Sequence, residues 1–236
     1  MRRLVAFVLV SLIPAAPLAA QFEGTINIKT YDADGMVDSK GFKVAIKGDM
    51  QATTVTLSES AGPMAGKEVR SIYDSKANTV TMLIPMPPNM PMMAAMADAK
   101  GMKNVIDLSK LSNREDDSKI EIKKLGTSEK IAGLDCDDYE ITTNKGSPTR
   151  ACVTDALGHF MFPQSGGGMG ARGSAPPAWA RAFGNKAAFP LKVWEPGGKV
   201  SMEVTSVEKG SIPASAFEIP AGYVDMAAMM HGRGGR

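Results

Sequence analysis

Residues 131–155 read IAGLDCDDYEITTNKGSPTRACVTD and contain both cysteines of the chain. Two runs rich in β-branched, aromatic and alternating residues flank Asn144-Lys145-Gly146-Ser147-Pro148, a composition typical of a turn. The stretch therefore predicts a β-hairpin, and the rest of the chain can be interpreted around it.

The simplest register for this hairpin places Cys136 opposite Cys152. Asp138 then lies opposite Arg150, which is a favourable pair of unlike charges across two strands. That face is polar and contains the two cysteines. Side chains alternate along a strand, so the other face is apolar and is expected to cover a core; it carries Tyr139, Ile141, Ala151 and Val153.

The first 20 residues have the pattern of a cleaved secretory signal peptide. Arg2 and Arg3 precede an almost wholly apolar run, Leu4 to Ile13, and small residues follow as far as Ala20. We therefore expect the mature protein to be periplasmic or secreted. In such an oxidising compartment, two cysteines 16 positions apart predict one structural disulfide, Cys136–Cys152.

The charge balance and the hydropathy of the chain argue against nucleic-acid binding and against a transmembrane segment. The chain has 27 Lys and Arg against 25 Asp and Glu, and loss of Arg2 and Arg3 with the signal peptide leaves the two totals equal. This balance offers no electrostatic basis for nucleic-acid binding. No second long apolar run follows the signal peptide, so we expect no transmembrane segment in the mature chain.

Period-2 alternation predicts strands along most of the mature chain. Residues 22–30, 42–46, 53–57, 69–74 and 79–84 form a meander, and strands return at 120–125, 189–194 and 200–207. Gly126-Thr127 is interpreted as a turn. Short helices are expected at 92–100 and 178–183. The predicted fold is mainly β: a single curved antiparallel sheet, or open half-barrel, with one or two short covering helices.

The predicted domain organisation has three parts. A signal peptide at 1–20 precedes a half-barrel domain at 21–223, and a disordered tail follows at 224–236. Residues 163–177, PQSGGGMGARGSAPP, form a glycine-rich insertion in the domain that we expect to be flexible.

Three stretches resemble one family of exported bacterial proteins, domain of unknown function 4412. Lys130 to Tyr139 is similar to its strand motif KIAGY-x-C-x-x-Y, and residues 72–85 and 217–223 resemble its hairpin and its ending. The family is similar in organisation to periplasmic lipoprotein carriers and outer-membrane lipoprotein receptors. The resemblance implies a half-barrel with a hydrophobic cavity for acyl chains. It transfers no functional residues.

Methionine is unusually frequent: the chain has 17, and eight of them lie between Met64 and Met102. Met90, Met93 and Met96 would share one face of a helix. Unbranched thioethers repack easily, so the favoured interpretation is an adaptable apolar lid. The alternative is a copper(I) site formed by the same three residues, because soft thioethers are suitable Cu(I) ligands.

No catalytic constellation stands out. The chain has two histidines, and it lacks both a G-x-S-x-G elbow and the lysine of a phosphate-binding loop. Asp135, Asp137 and Asp138 are interpreted as solvated strand charges rather than ligands of a hard cation. We expect no cofactor.

The favoured hypothesis is therefore a non-enzymatic periplasmic module that binds a lipid, an acyl chain or an apolar segment of an envelope partner. A Met-rich periplasmic copper(I)-binding protein is the alternative hypothesis. The residues expected to line the ligand site are Ile26, Ile28, Val44, Ile46, Leu83, Met93 and Met96.

Overall fold

The computed structural model describes residues 21–31, 41–57, 59–86, 99–110, 119–144, 146–161, 177–183 and 188–226. Within these ranges, twelve strands form one open sheet. The strands are β1 Glu23–Thr30, β2 Phe42–Lys47, β3 Met50–Thr56, β4 Glu68–Asp74, β5 Thr79–Pro85, β6 Gly101–Asp107, β7 Ile120–Ile131, β8 Leu134–Thr143, β9 Thr149–Thr154, β10 Phe189–Trp194, β11 Val200–Lys209 and β12 Tyr223–Asp225. One α-helix, α1, spans Ala178–Phe183, and short 3-10 helices span Glu59–Met64, Leu108–Lys110 and Ala214–Phe217.

The sheet consists of two meanders joined side by side. Its order is β12-β6-β5-β4-β3-β2-β1-β11-β10-β9-β8-β7. The first and last long strands of the domain, β1 and β11, pair antiparallel and place Ile28 opposite Val204. β12 pairs parallel to β6 at one edge, and every other pair is antiparallel. The predicted mainly β, open sheet is thus confirmed, with one parallel strand that the sequence analysis did not anticipate.

One face of the sheet, here called the inner face, carries the main core. Alternation along the strands directs Ile26, Val44 and Val193 to this face, and each is fully buried. Helix α1 covers it, since Trp179 and Phe183 are buried and the Phe183 ring meets Tyr139 edge-on at 5.6 Å. The covering helix predicted at 178–183 is confirmed.

The opposite, outer face carries a smaller apolar cluster. Ala52, Ile72 and Leu83 are buried there beneath Phe217 and Tyr223 from the C-terminal part of the chain. This segment is held at both ends. The Glu23 carboxylate accepts the N–H of Ile212 at 2.7 Å, and Tyr223 begins strand β12.

The cysteine hairpin forms, but the predicted register is wrong by two positions. Asp138 lies opposite Cys152, and Glu140 lies opposite Arg150. Pro148 has no backbone N–H, so β9 begins at Thr149, and pairing Thr149 with Ile141 extends the ladder towards the turn. A shift of two keeps every side chain on its predicted face, because the period of a strand is two.

The predicted disulfide is confirmed. Cys136 and Cys152 are bonded, with their Cα atoms 5.4 Å apart, which lies within the usual range for a disulfide. Cys152 lies opposite Asp138 rather than Cys136, so the bridge runs diagonally between the strands. Both cysteines are buried, although the sequence analysis placed them on a polar face.

The turn predicted at Gly126-Thr127 is wrong. β7 continues through these residues to Ile131, and its pairing with β8 shifts between Lys124 and Ser128. Gly126 has a φ of 80°, so it accommodates a bulge rather than a reversal. The chain reverses at Ala132-Gly133, with φ values of 48° and 82°, as a two-residue turn with positive φ at both positions requires.

Ala132→Asn is expected to stabilise the protein, because alanine is strained in the left-handed region and asparagine tolerates it. We expect a gain of about 1 kcal/mol, which corresponds to a rise in Tm of about 2–4 °C for a chain of this size. Thermal unfolding measures the change. Ala77→Asn is the control, since Ala77 is an exposed turn residue outside the positive-φ set; an equal rise in that variant would contradict the explanation.

Several predicted features lie outside the described residues. They include the signal peptide at 1–20, residues 92–98 of the predicted helix, and the glycine-rich insertion except for Pro177.

At the C-terminal end, the sheet extends two residues past the expected domain boundary at Tyr223. Val224 pairs with Met102, and Asp225 pairs with Lys103. Residues 227–236 are not described.

Candidate functional site

A cavity of about 390 Å³ opens at one end of the inner face, and we call it the mouth cavity. The turn between β2 and β3, the start of the turn after β4, and residues 157–159 surround it. Its lining residues include Gln21, Ile46, Gly48, Asp49, Gln51, Tyr73, Ser75, Leu157, Gly158 and His159.

Strand register brings three of these side chains into one row. Ile46 of β2 lies opposite Gln51 of β3, and Gln51 lies opposite Tyr73 of β4. Facing residues on neighbouring strands project to the same side of a sheet. The row therefore gives the cavity floor an apolar, an amide and a phenolic group in succession.

One wall of the cavity is the segment from Asp155 to Met161, here called the crossing segment, which runs from the end of β9 to β3. Leu157 and Phe160 anchor it in the core, and the Phe160 ring lies 4.6 Å from that of Phe189. The buried Gln51 amide holds the Met161 end of the crossing segment through two hydrogen bonds. Its nitrogen donates to the carbonyl of Met161 at 2.7 Å, and its oxygen accepts the N–H of Met161 at 3.1 Å.

The rim of the cavity is polar and largely paired. The Asp49 carboxylate forms an ion pair with Lys76 at 2.8 Å, and the Lys76 hydrogen bond holds the pKa of Asp49 below its ordinary value. Gln21 donates to the carbonyl of Gly48 at 2.8 Å. In the cavity floor, burial raises the pKa of Tyr73, and the charge of Asp74 adds to this rise.

The structure separates the residues predicted to line the ligand site. Ile26, Ile28, Val44 and Ile46 lie together on the inner face within the main core, and Ile46 also lines the mouth cavity. Leu83 lies on the outer face with Ala52 and Ile72. β5 presents Met82 rather than Leu83 to the inner side, because Met82 lies opposite Ser71. Alternation alone did not reveal which of these two neighbours faces inward.

The methionine hypotheses concern residues outside the described ranges. Met90, Met93 and Met96 all lie between 87 and 98, so both the lid and the copper(I) site remain predictions. Within the described ranges, no group of three His, Cys, Asp or Glu side chains is arranged to hold a metal ion. Asp135 pairs with Lys130 at 3.3 Å and Asp137 with Lys124 at 2.6 Å.

A second polar constellation surrounds Arg150 on the outer face. Arg150 donates two hydrogen bonds to Asp138, at 3.2 and 2.7 Å, and a third to Glu129 at 2.6 Å. Its guanidinium lies 4.3 Å from the centre of the Trp194 ring. Thr127 donates to the same Asp138 carboxylate at 2.6 Å. Every group here is used in an internal contact, so this constellation stabilises the hairpin rather than offering a binding site.

Sequence reasoning missed Tyr73, Gln51 and His159 as cavity residues. Tyr73 lies in a predicted strand, and its alternation with Ser71 carries the only sequence signal that it faces inward. Gln51 precedes the third predicted strand, which began at Thr53, and the structure extends that strand back to Met50. His159 reaches the cavity only because the crossing segment returns over the sheet.

Among the described residues, no helix has the length and apolarity needed to cross a lipid bilayer.

Comparison with solved structures finds PNGF-II in two crystal forms, with TM-scores of 0.46 and 0.48 at 14% and 15% identity. These matches cover 89% of this chain and 32% of PNGF-II. MucB matches with a TM-score of 0.38 at 11% identity, over 86% of this chain and 60% of MucB.

No curated protein matches the sequence. The family resemblance carried by the cysteine hairpin and the C-terminal motif is confirmed over nearly the whole domain. The model of the family described as domain of unknown function (DUF4412) matches residues 22–223, and the chain belongs to that family.

Proposed function

We propose that this protein is a non-enzymatic binding module that takes an acyl chain into the mouth cavity. The observation that carries the proposal is the cavity itself, about 390 Å³ at one end of the inner face. This volume lies in the range of about 300–1,000 Å³ typical of small-molecule sites. Its floor is the row of strand side chains and its wall is the crossing segment, and both are held in place by the fold. The cavity is therefore largely preformed.

The apolar part of the cavity suits a hydrocarbon chain. Ile46 and Leu157 contribute to both the cavity lining and the main core, so a bound chain would extend the core rather than meet water. Each Å² of apolar surface removed from water is worth roughly 25 cal/mol, which makes burial of the chain the main driving force.

The proposed place of action is an exported, oxidising compartment. The supporting observation is the buried Cys136–Cys152 disulfide, because structural disulfides persist in such compartments and are rare in reducing ones. The signal-peptide pattern at 1–20 supports the same proposal. An apolar segment of an envelope partner is the competing occupant in place of a free lipid, and titration with a fatty acid separates the two.

Ser75→Trp is expected to block the cavity, because Ser75 is an exposed residue at its rim and an indole there would occupy the entrance. Titration of the purified, delipidated mature protein with a dansyl-labelled fatty acid should show saturable binding. We expect Ser75→Trp to weaken it by at least about tenfold, the equivalent of roughly 1.4 kcal/mol.

Ser147→Trp is the matched control, since Ser147 is an exposed turn residue between β8 and β9, remote from the cavity lining. It should bind the probe as the unmodified protein does. Absence of saturable binding in the unmodified protein would overturn the acyl-chain proposal and favour a partner segment as occupant. Equal weakening in both variants would overturn the assignment of the site to this cavity.

A further inference from the structure

Building on the proposed function, we infer that the ligand is an amphiphile with a single carboxylate head, held by the Tyr73 hydroxyl and the His159 imidazole at the mouth cavity. The chemistry of the head group follows from which polar groups of the cavity are already hydrogen-bonded and which are not.

Most polar side chains around the cavity have protein partners. Gln21 is bonded to Gly48, and the Gln51 amide is bonded through both its nitrogen and its oxygen to Met161. Asp49 is paired with Lys76, and the Ser75 hydroxyl donates to Asp49 at 3.4 Å. These groups form the cavity wall and have little capacity left for a ligand.

Two polar side chains differ from the rest. Across the described ranges, neither the Tyr73 hydroxyl nor the His159 ring makes a hydrogen bond or ion pair with another protein group, although both residues line the cavity. Tyr73 is half-buried and His159 is exposed. Polar groups in a concave site that lack protein partners are the ones that fix the orientation of a ligand.

The chemistry of these two groups favours an acceptor on the ligand. Burial raises the pKa of Tyr73, so its hydroxyl remains a donor throughout the neutral range. An imidazole donates through at least one ring nitrogen in either protonation state. Hydrogen bonds to an ionised acceptor are roughly twice as strong as those between neutral groups, which favours a carboxylate over a hydroxyl.

The charges at the rim disfavour a cationic head. Asp49 is the single carboxylate among the described residues that line the cavity, and its ion pair with Lys76 compensates its charge. An ammonium head would therefore meet the Tyr73 and His159 donors without an unpaired carboxylate to accept its hydrogen bonds. A carboxylate would meet two donors, and the Asp74 charge that acts on Tyr73 lies outside the cavity lining, where its carboxylate accepts the backbone N–H groups of Lys76 and Ala77.

Calorimetric titration of the mature protein with dodecanoic acid, 1-dodecanol and dodecylamine tests the inference, since these ligands share one chain and differ in the head. We expect the acid to bind about tenfold more tightly than either of the others, the ratio that one charge-assisted hydrogen bond supplies. Tyr73→Phe and His159→Ala should each weaken binding of the acid more than binding of the alcohol, and so reduce the preference for the acid.

Tyr139→Phe is the control for the tyrosine change, because Tyr139 lies on the inner face beside Phe183 and outside the mouth cavity. It should keep the full preference. Equal affinity for acid and alcohol, or an acid preference unchanged in Tyr73→Phe and His159→Ala, would overturn the head-group inference and leave the acyl-chain function standing. Failure of all three ligands to bind would overturn the proposed function itself.

Discussion

Arg150→Met is expected to lower the free energy of unfolding by about 3 kcal/mol, because it leaves a buried carboxylate without its cation. The Asp138 side chain is 0% exposed, whereas Arg150 is 39% exposed. Loss of the guanidinium removes both of its bonds to Asp138 and leaves the Thr127 hydroxyl as the remaining side-chain donor to that carboxylate among the described residues. Methionine preserves much of the apolar packing against Trp194, so the loss reports mainly on the charge.

Urea unfolding measures this change, and two further variants isolate its cause. Asp138→Asn combined with Arg150→Met should recover most of the lost stability, because the buried group is then neutral. Lys192→Met should cost less than about 1 kcal/mol. Lys192 also lies near Trp194, at 5.4 Å, but its partner Glu203 is partly exposed. A double variant as unstable as Arg150→Met would show that the buried charge is not the cause.

Replacing both cysteines, Cys136→Ala with Cys152→Ala, is expected to lower the free energy of unfolding by about 3 kcal/mol in the chain-entropy model. The bridge closes a loop between positions 16 apart, and its loss frees the unfolded chain more than the folded one. Both sulfurs are buried, so the loss of packing adds to this effect.

Reduction provides the control for the disulfide prediction. Dithiothreitol should destabilise the unmodified protein by a similar amount and leave the double-alanine variant unchanged in urea unfolding. A reduced protein as stable as the oxidised one would contradict the prediction. Cys152 lies opposite Asp138 on the same strand pair, so the Arg150 and cysteine changes are expected to be non-additive when combined.

The strands were predictable because alternation is a local property. Residues 22–30, 42–46 and 189–194 were recognised with boundaries close to those of β1, β2 and β10. The disulfide and the covering helix at 178–183 were also predicted correctly. The failures concern backbone geometry, which the alternation of side chains does not specify. The hairpin register differs from the predicted one by two positions, and Gly126 forms a bulge where a turn was expected.

The candidate site was much less predictable than the fold. Of the described residues predicted to line it, Ile46 alone borders the mouth cavity, and Leu83 lies on the other side of the sheet. Ile26, Ile28 and Val44 are apolar and alternate as a ligand-lining strand would, but the same pattern serves a packed core. Residues that line a cavity and residues that fill a core have the same period, so the pattern does not distinguish them.

The amino-acid sequence alone was sufficient for the class of fold, the strands, the cysteine pair and the family. Each depends on residues close together in the chain or on a local motif. The tertiary structure decided three other things: the pairing of β1 with β11, the face that became the core, and the cavity where Ile46, Gln51 and Tyr73 meet residues 157–159. These depend on contacts between segments far apart in the chain, and the alternation of a strand specifies its two faces without specifying its neighbours.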